Sequence, residues 1–184
     1  MERQGSTEYL ILRQTIAARG SLKGAAMLFG MGAWAGVLTA TLLWLPYPAA
    51  TLIPLLVLLA TFEVVKPLHV GAERIGRYLQ VFYEEDGQAG RPLADTPSWE
   101  RVAMRISVVP GAGGHPLFVP VFFLATLANL SPLLLVQPPA LAIETATLLV
   151  PHGAFVIWQL AADRAMRAQR VAELAQFREL RKQT

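Results

Sequence analysis

The chain has 184 residues, of which 54% are hydrophobic and 16% charged, with a formal net charge of +3. Soluble domains carry about a quarter charged residues, so there is too little charge here to cover a water-exposed surface. Disorder is excluded for the same reason. The chain has no cysteine, which excludes disulfides, thiolate catalysis and Cys-type zinc or iron–sulfur centres.

The first element is a short helix predicted over Thr7–Ala18. Its apolar residues Tyr9, Leu10, Ile11, Leu12 and Ile16 are bunched, so it is expected to lie on a membrane surface or against other cytoplasmic helices. Gly20-Ser21 reads as a helix stop followed by an N-cap. From Gly24 to Phe62, 39 residues then pass without Asp, Glu, Lys or Arg. One helical crossing of a ~30 Å hydrocarbon core needs about 20 residues. Leu45-Pro46-Tyr47-Pro48 breaks this tract, because proline has no amide proton and restricts the residue before it. Two spans follow, Gly24–Leu45 and Ala49–Leu68. The first is 22 residues long, beyond the ~7–15 of a secretory leader, and is expected to be retained as a span. It carries Gly32-x-x-x-Gly36, a small-residue seam for packing within the bundle or in a dimer. Trp44, Tyr47 and Trp158 are expected as interfacial anchors.

Beyond the second span, Pro67 predicts a kink. Val70–Glu85 continues as an amphipathic helix with Ile75, Tyr78, Leu79 and Phe82 on one side. A loop over Asp86–Asp95 follows, and Thr96-Pro97 opens a short helix carrying Trp99, Val102 and Ile106. Val109–Pro116 holds three glycines and two prolines and reads as an irregular connection. It lacks the lysine and Ser/Thr of a phosphate loop. The whole segment is expected to form a kinked, membrane-hugging arm rather than a folded domain.

A second charge-free tract of 38 residues, Ile106–Ile143, is divided at Gln137-Pro138-Pro139. It gives spans Pro116–Val136 and Ala140–Ala162. Both tracts are continuously apolar, so helices are predicted rather than the alternating strands of a barrel. The tail continues as a helix with Leu160, Val171, Leu174, Phe177 and Leu180 among arginines, packing on the protein's own helices or on a partner helix.

The fold class is therefore an all-α membrane protein. It is a four-transmembrane-helix bundle of two hairpins with amphipathic cytoplasmic helical extensions. Residues 1–23 form an N-terminal segment, 24–68 the first hairpin, 69–115 a cytoplasmic arm and loop, 116–162 the second hairpin, and 163–184 a C-terminal helix. Lys and Arg give the orientation. Four precede the first span, six run from Lys66 at the inner end of the second span to Arg105 before the third, and six follow the last span, which is all sixteen. Positive charge stays cytoplasmic. Both termini and the middle segment are expected inside a bacterial-type inner membrane, with the basic residues touching anionic headgroups and no nucleic acid as partner.

Ionisable groups within spans are costly and are functional candidates by default. They are Glu63 in the second span and Glu144 and His152 in the fourth. Counted at 1.5 Å per residue from the outer span ends, Glu63 is about 21 Å deep, His152 about 18 Å and Glu144 about 6 Å. Glu63 is expected to pair with Lys66 three residues on. It has two alternatives, an interhelical bond to His152 or Asn129 and a proton or ion relay with His152. Glu144 is expected in water. His69, His115 and His152 all lie in the inner half, which makes a metal or haem site an alternative. No two histidines share a helix turn, and no resident cofactor is expected. The reading is a non-enzymatic assembly, scaffold or accessory subunit, in a homo-oligomer or a larger membrane complex. The alternatives are a small proton, ion or solute transporter using Glu63 and His152, and a redox protein or enzyme with a histidine-bound group.

Overall fold

The structure, a computed structural model, describes residues 2–45, 48–84, 118–131, 133 and 142–183. Among these, all regular structure is helical. Helix α1 spans Glu2–Trp44, and a 3-10 turn at Pro48–Thr51 leads into α2, Leu52–Leu79, which ends in a π turn at Gln80–Glu84. Helix α3 is Phe118–Ala128 and α4 is Ala142–Lys182. Three helices are long and apolar enough to cross a membrane, and α3 is a shorter apolar helix of 11 residues. At 41 residues, α4 is about 60 Å long, twice a hydrocarbon core.

Two predicted breaks differ from the structure. Helix α1 runs unbroken through Gly20-Ser21. A glycine inside a helix costs only ~1 kcal/mol relative to alanine, and tertiary contacts near Gly20 offset that. Within the third span, predicted over Pro116–Val136, α3 ends at Ala128 and the chain turns at Asn129–Ser131, where Leu130 N–H and Ser131 N–H reach back to Leu127 O and Ala128 O at 3.0 Å each; Leu134–Val136 and the Gln137-Pro138-Pro139 break lie outside the described residues. Pro132 follows, and the residue before a proline is pushed out of helical geometry. The helix predicted to start at Thr96, the loop over Asp86–Asp95, the Val109–Pro116 connection and His115 lie outside the described residues. Pro67 lies within α2, which continues past it.

The chain divides into two compact units. One comprises, among the described residues, 23–45, 48–66, 118–131, 133 and 142–163. Its core is apolar: Leu58, Phe62, Val65 and Phe122 are fully buried, with Phe118, Phe155 and Leu148 nearly so. Phe62 is the centre, with ring centroids 5.3 Å from Phe122, 5.8 Å from Phe118 and 5.9 Å from Phe155. Helix α1 packs through Gly30, Trp34 and Thr41, spaced by one and two helical turns. A methyl group on Gly30 would collide with the Thr61 side chain, so this glycine is where the two helices approach closely.

The other unit comprises residues 2–22, 67–84 and 164–183 among those described. The start of the chain, the continuation of α2 and the tail of α4 thus pack together, and residues 85–115 of the expected arm lie outside the described residues. Leu79 and Val81 are fully buried and Met166 nearly so. Tyr78 gathers the rings of Phe82, Tyr83 and Phe177 at 4.8, 6.1 and 6.0 Å, and Tyr9 meets Tyr83 at 5.6 Å. Arg19 lies against Gly71, where a β-carbon would strike its guanidinium. These contacts hold α1 helical on the N-terminal side of Gly20.

Candidate functional site

Glu63 and His152, expected to face each other, take different partners. Glu63 is exposed on α2 and accepts both Nζ bonds of Lys66 at 2.9 and 2.8 Å. It also accepts the Trp158 indole N–H at 2.7 Å. Trp158 follows His152 by six residues, about 9 Å along α4. The depth count placed Glu63 and His152 together because it assumed that the two helices start level. The pairing of Glu63 with Trp158 and of Phe62 with Phe155 shows a stagger instead.

His152 is 2% exposed and belongs to a network centred on Asn129, which is wholly buried. Asn129 Nδ2 donates to Thr51 O and pairs with His152 Nε2, both at 2.8 Å. Asn129 Oδ1 accepts the Trp34 indole N–H at 3.2 Å. His152 Nδ1 pairs with Leu148 O at 2.7 Å. Each proton position follows from its neighbours. An indole N–H only donates and a carbonyl only accepts, so the Asn129 amide has one orientation. Its NH2 then requires His152 Nε2 to be bare, and Leu148 O requires a proton on Nδ1. The imidazole is neutral, and a second ring proton would meet an N–H donor. This network joins α1, the turn before α2, the end of α3, and α4. Asn129 is thus a structural hub. Trp34 and Thr51 carry no charge or motif and were not anticipated in it.

The remaining candidates separate. Glu144 is exposed near the start of α4. His69 Nε2 lies 3.6 Å from Glu73 on the next turn of α2. Among the described residues, no group of three His, Asp or Glu side chains is placed to hold a metal ion. Gly32 and Gly36 have open space where a β-carbon would stand. The predicted seam is therefore not the packing face within this unit, and Gly30, two residues and about 200° away around the helix, takes that role. Gln159 is fully buried, donating to Thr126 Oγ1 at 2.9 Å while its Oε1 has no partner among the described residues.

In the other unit the charged residues interlock. Arg77, 2% exposed, donates from Nε and Nη2 to Glu173 Oε2 at 3.0 and 2.6 Å and from Nη1 to Glu73 at 3.0 Å. Arg74 and Gln169 donate to Glu173 Oε1 at 2.8 and 2.7 Å. Burial alone would raise the Glu173 carboxyl, but the bonds from Gln169, Arg77 and Arg74 outweigh it and hold the group below the usual carboxylate range. Arg181 Nη1 donates to Val81 O at 2.9 Å in the π turn that ends α2. Burial, with the Glu8 carboxylate beside it, pushes the hydroxyls of Tyr78 and Tyr83 upward.

One recess shares Trp158 with the Glu63 group. It is a groove of about 350 Å³ lined by Leu55, Leu56 and Leu59 of α2 and by Pro151, Ala154, Phe155 and Trp158 of α4. Every lining side chain is apolar except for the indole N–H of Trp158, which is committed to Glu63. Lys66 Nζ stands 4.8 Å from the Trp158 ring centroid. Compared with known proteins, the chain matches no family model, no curated protein and no solved structure.

Proposed function

We propose that this chain is an integral protein of a bacterial-type inner membrane with four spans and cytoplasmic termini, and that it serves as a non-enzymatic assembly, scaffold or accessory subunit. The observation that carries the reading is the uncovered face of α1. Only 6% of its most apolar stretch is buried within the chain, against 39% for α2 and 28% for α4. Leu28 and Phe29 are about three-quarters exposed, and Gly32 and Gly36 are open between them and Leu43. A helix that anchors through one face and leaves a small-residue seam on the other is suited to receive a helix of a second chain.

The absence of cysteine makes the test direct. Single cysteines at Gly32 and Gly36 should form cross-linked adducts in native membranes, while cysteines at Ala26 and Leu38, on the packed face, should not. An adduct of twice the chain mass means a homo-oligomer, and any other mass means a different partner. Absence of adducts from every open-face position refutes the reading. Reporter fusions at Gln88 and at the C-terminus should read cytoplasmic, and one at Tyr47 should read external. Proton flux through the purified, reconstituted chain that disappears with Glu63→Gln would favour transport instead.

A further inference from the structure

We infer that the groove between α2 and α4 is a binding site for one phospholipid bearing a phosphoethanolamine headgroup. Its acyl chain would lie along Leu55, Leu59, Ala154 and Phe155, and its headgroup on the Glu63–Lys66 pair. The inference rests on the membrane reading above.

The groove is apolar along its length, and Trp158, one of its lining residues, donates its indole N–H to Glu63 of the Glu63–Lys66 pair. Pro151 and Ala154 are short side chains, and they leave the hollow that the leucines opposite do not fill. From Leu55 to Lys66 is eleven residues of α2, about 16 Å, and one leaflet of a ~30 Å core is about 15 Å deep. A single leaflet's acyl chain therefore fits between the far end of the groove and the charges. The pair is accessible, with the Lys66 and Glu63 side chains 24% and 42% exposed.

The charges choose the headgroup. Lys66 and Glu63 neutralise each other, so a purely anionic headgroup meets no net attraction. An ammonium has three donors, of which Lys66 spends two on Glu63, leaving one N–H for a phosphate oxygen. A carboxylate offers about four acceptor sites, and Glu63 has three donor contacts, from Lys66 twice and Trp158 once. One site remains for a primary ammonium. Phosphoethanolamine presents both groups on one short chain, whereas the quaternary ammonium of phosphocholine has no N–H to give.

The test uses the full chain in phosphatidylcholine vesicles containing a minority of brominated-chain phosphatidylethanolamine, phosphatidylcholine or phosphatidylglycerol. Bromine quenching of Trp158 is read as the difference between wild type and Trp158→Phe. Brominated phosphatidylethanolamine should quench roughly threefold more than brominated phosphatidylcholine, the preference expected of exposed charge-assisted bonds. Glu63→Gln should abolish that excess, and Ala154→Phe, which fills the groove, should do the same. Equal quenching by all three headgroups, or greater quenching by phosphatidylglycerol, overturns the inference. If vesicles made wholly of brominated phosphatidylcholine leave the protein unquenched, the chain is not inserted and the membrane reading itself has failed.

Discussion

Replacing Asn129 with leucine should loosen four segments at once. The substitution removes the bonds to Trp34, Thr51 O and His152 while keeping nearly the same side-chain volume. In a water-soluble protein each orphaned buried group would cost ~1–3 kcal/mol. Between helices in a membrane the measured average is only ~0.6 kcal/mol per bond, with a maximum near 1.7, because the unfolded helices find other partners in the bilayer. Three bonds at the average give about 2 kcal/mol, roughly a thirtyfold shift in the unfolding equilibrium. The assay is reversible unfolding in mixed micelles. Trp34→Phe removes one bond and should cost about a third as much. Combined with Asn129→Leu it should add almost nothing, because the bond is already gone, and the cycle therefore isolates the coupling. Stability unchanged by Asn129→Leu, or full additivity of the two substitutions, would refute the hub.

Gly30→Ala should destabilise by ~1–3 kcal/mol through the collision with Thr61, and Thr61→Ala should recover part of the loss. In the isolated chain, Gly32→Ala and Gly36→Ala should be neutral or stabilising by up to ~1 kcal/mol, because their β-carbons point into open space. Gln159→Met should be close to neutral in the same unfolding assay, since it trades one bond for removal of an unpaired buried oxygen. Glu173 titrates lower in the fold than unfolded, so its contribution is present above the unfolded carboxylate value and is lost as pH falls through the folded one. Acid unfolding followed by circular dichroism should shift in that window on Glu173→Gln. The Tyr78 and Tyr83 hydroxyls titrate higher when folded, so their contribution is present below the unfolded phenol value and lost as pH rises through the folded ones. Ultraviolet titration should show two late tyrosines, moved earlier by Glu8→Gln.

The helices were legible because charge-free length is a strong signal: the first tract is flanked by Lys23 and Glu63, and the corresponding segment of one compact unit is Lys23–Lys66. The Glu63–Lys66 bond was legible because it is local, at three residues' separation on one helix. Faces were harder to read. In a span that is apolar all round, hydrophobic periodicity is flat, and Gly32-x-x-x-Gly36 stands out only because its spacing is familiar. The face that packs carries one glycine, a tryptophan and a threonine. Pro132 was readable as a break, yet the longer Pro138-Pro139 pair drew the boundary. The Glu173–Arg77 contact joins residues 96 apart, and no local pattern announces such a pair.

Saturation is what distinguishes the two polar constellations of the apolar unit. Around Asn129 every side-chain proton is assigned, as is the lone pair of His152 Nε2. Adding a proton to His152 Nε2, or turning the amide, sets donor against donor and forfeits the bonds to Trp34 and Thr51. A relay must pass through states with the proton on either side, and this network has room for one. It holds segments together with every side-chain proton committed. The Glu63–Lys66–Trp158 group has the opposite character: it is exposed, carries both charges, retains one N–H and one acceptor site, and borders the apolar groove. A ligand needs unspent valence and space beside it, which is why the proposed lipid contact is placed at Glu63 and not at the buried histidine. Glu63→Gln and His152→Gln separate the two roles. Glutamine at 152 can still accept from Asn129 and donate to Leu148 O, so the second substitution should leave both stability and lipid preference nearly intact. The first should leave stability intact and erase the preference.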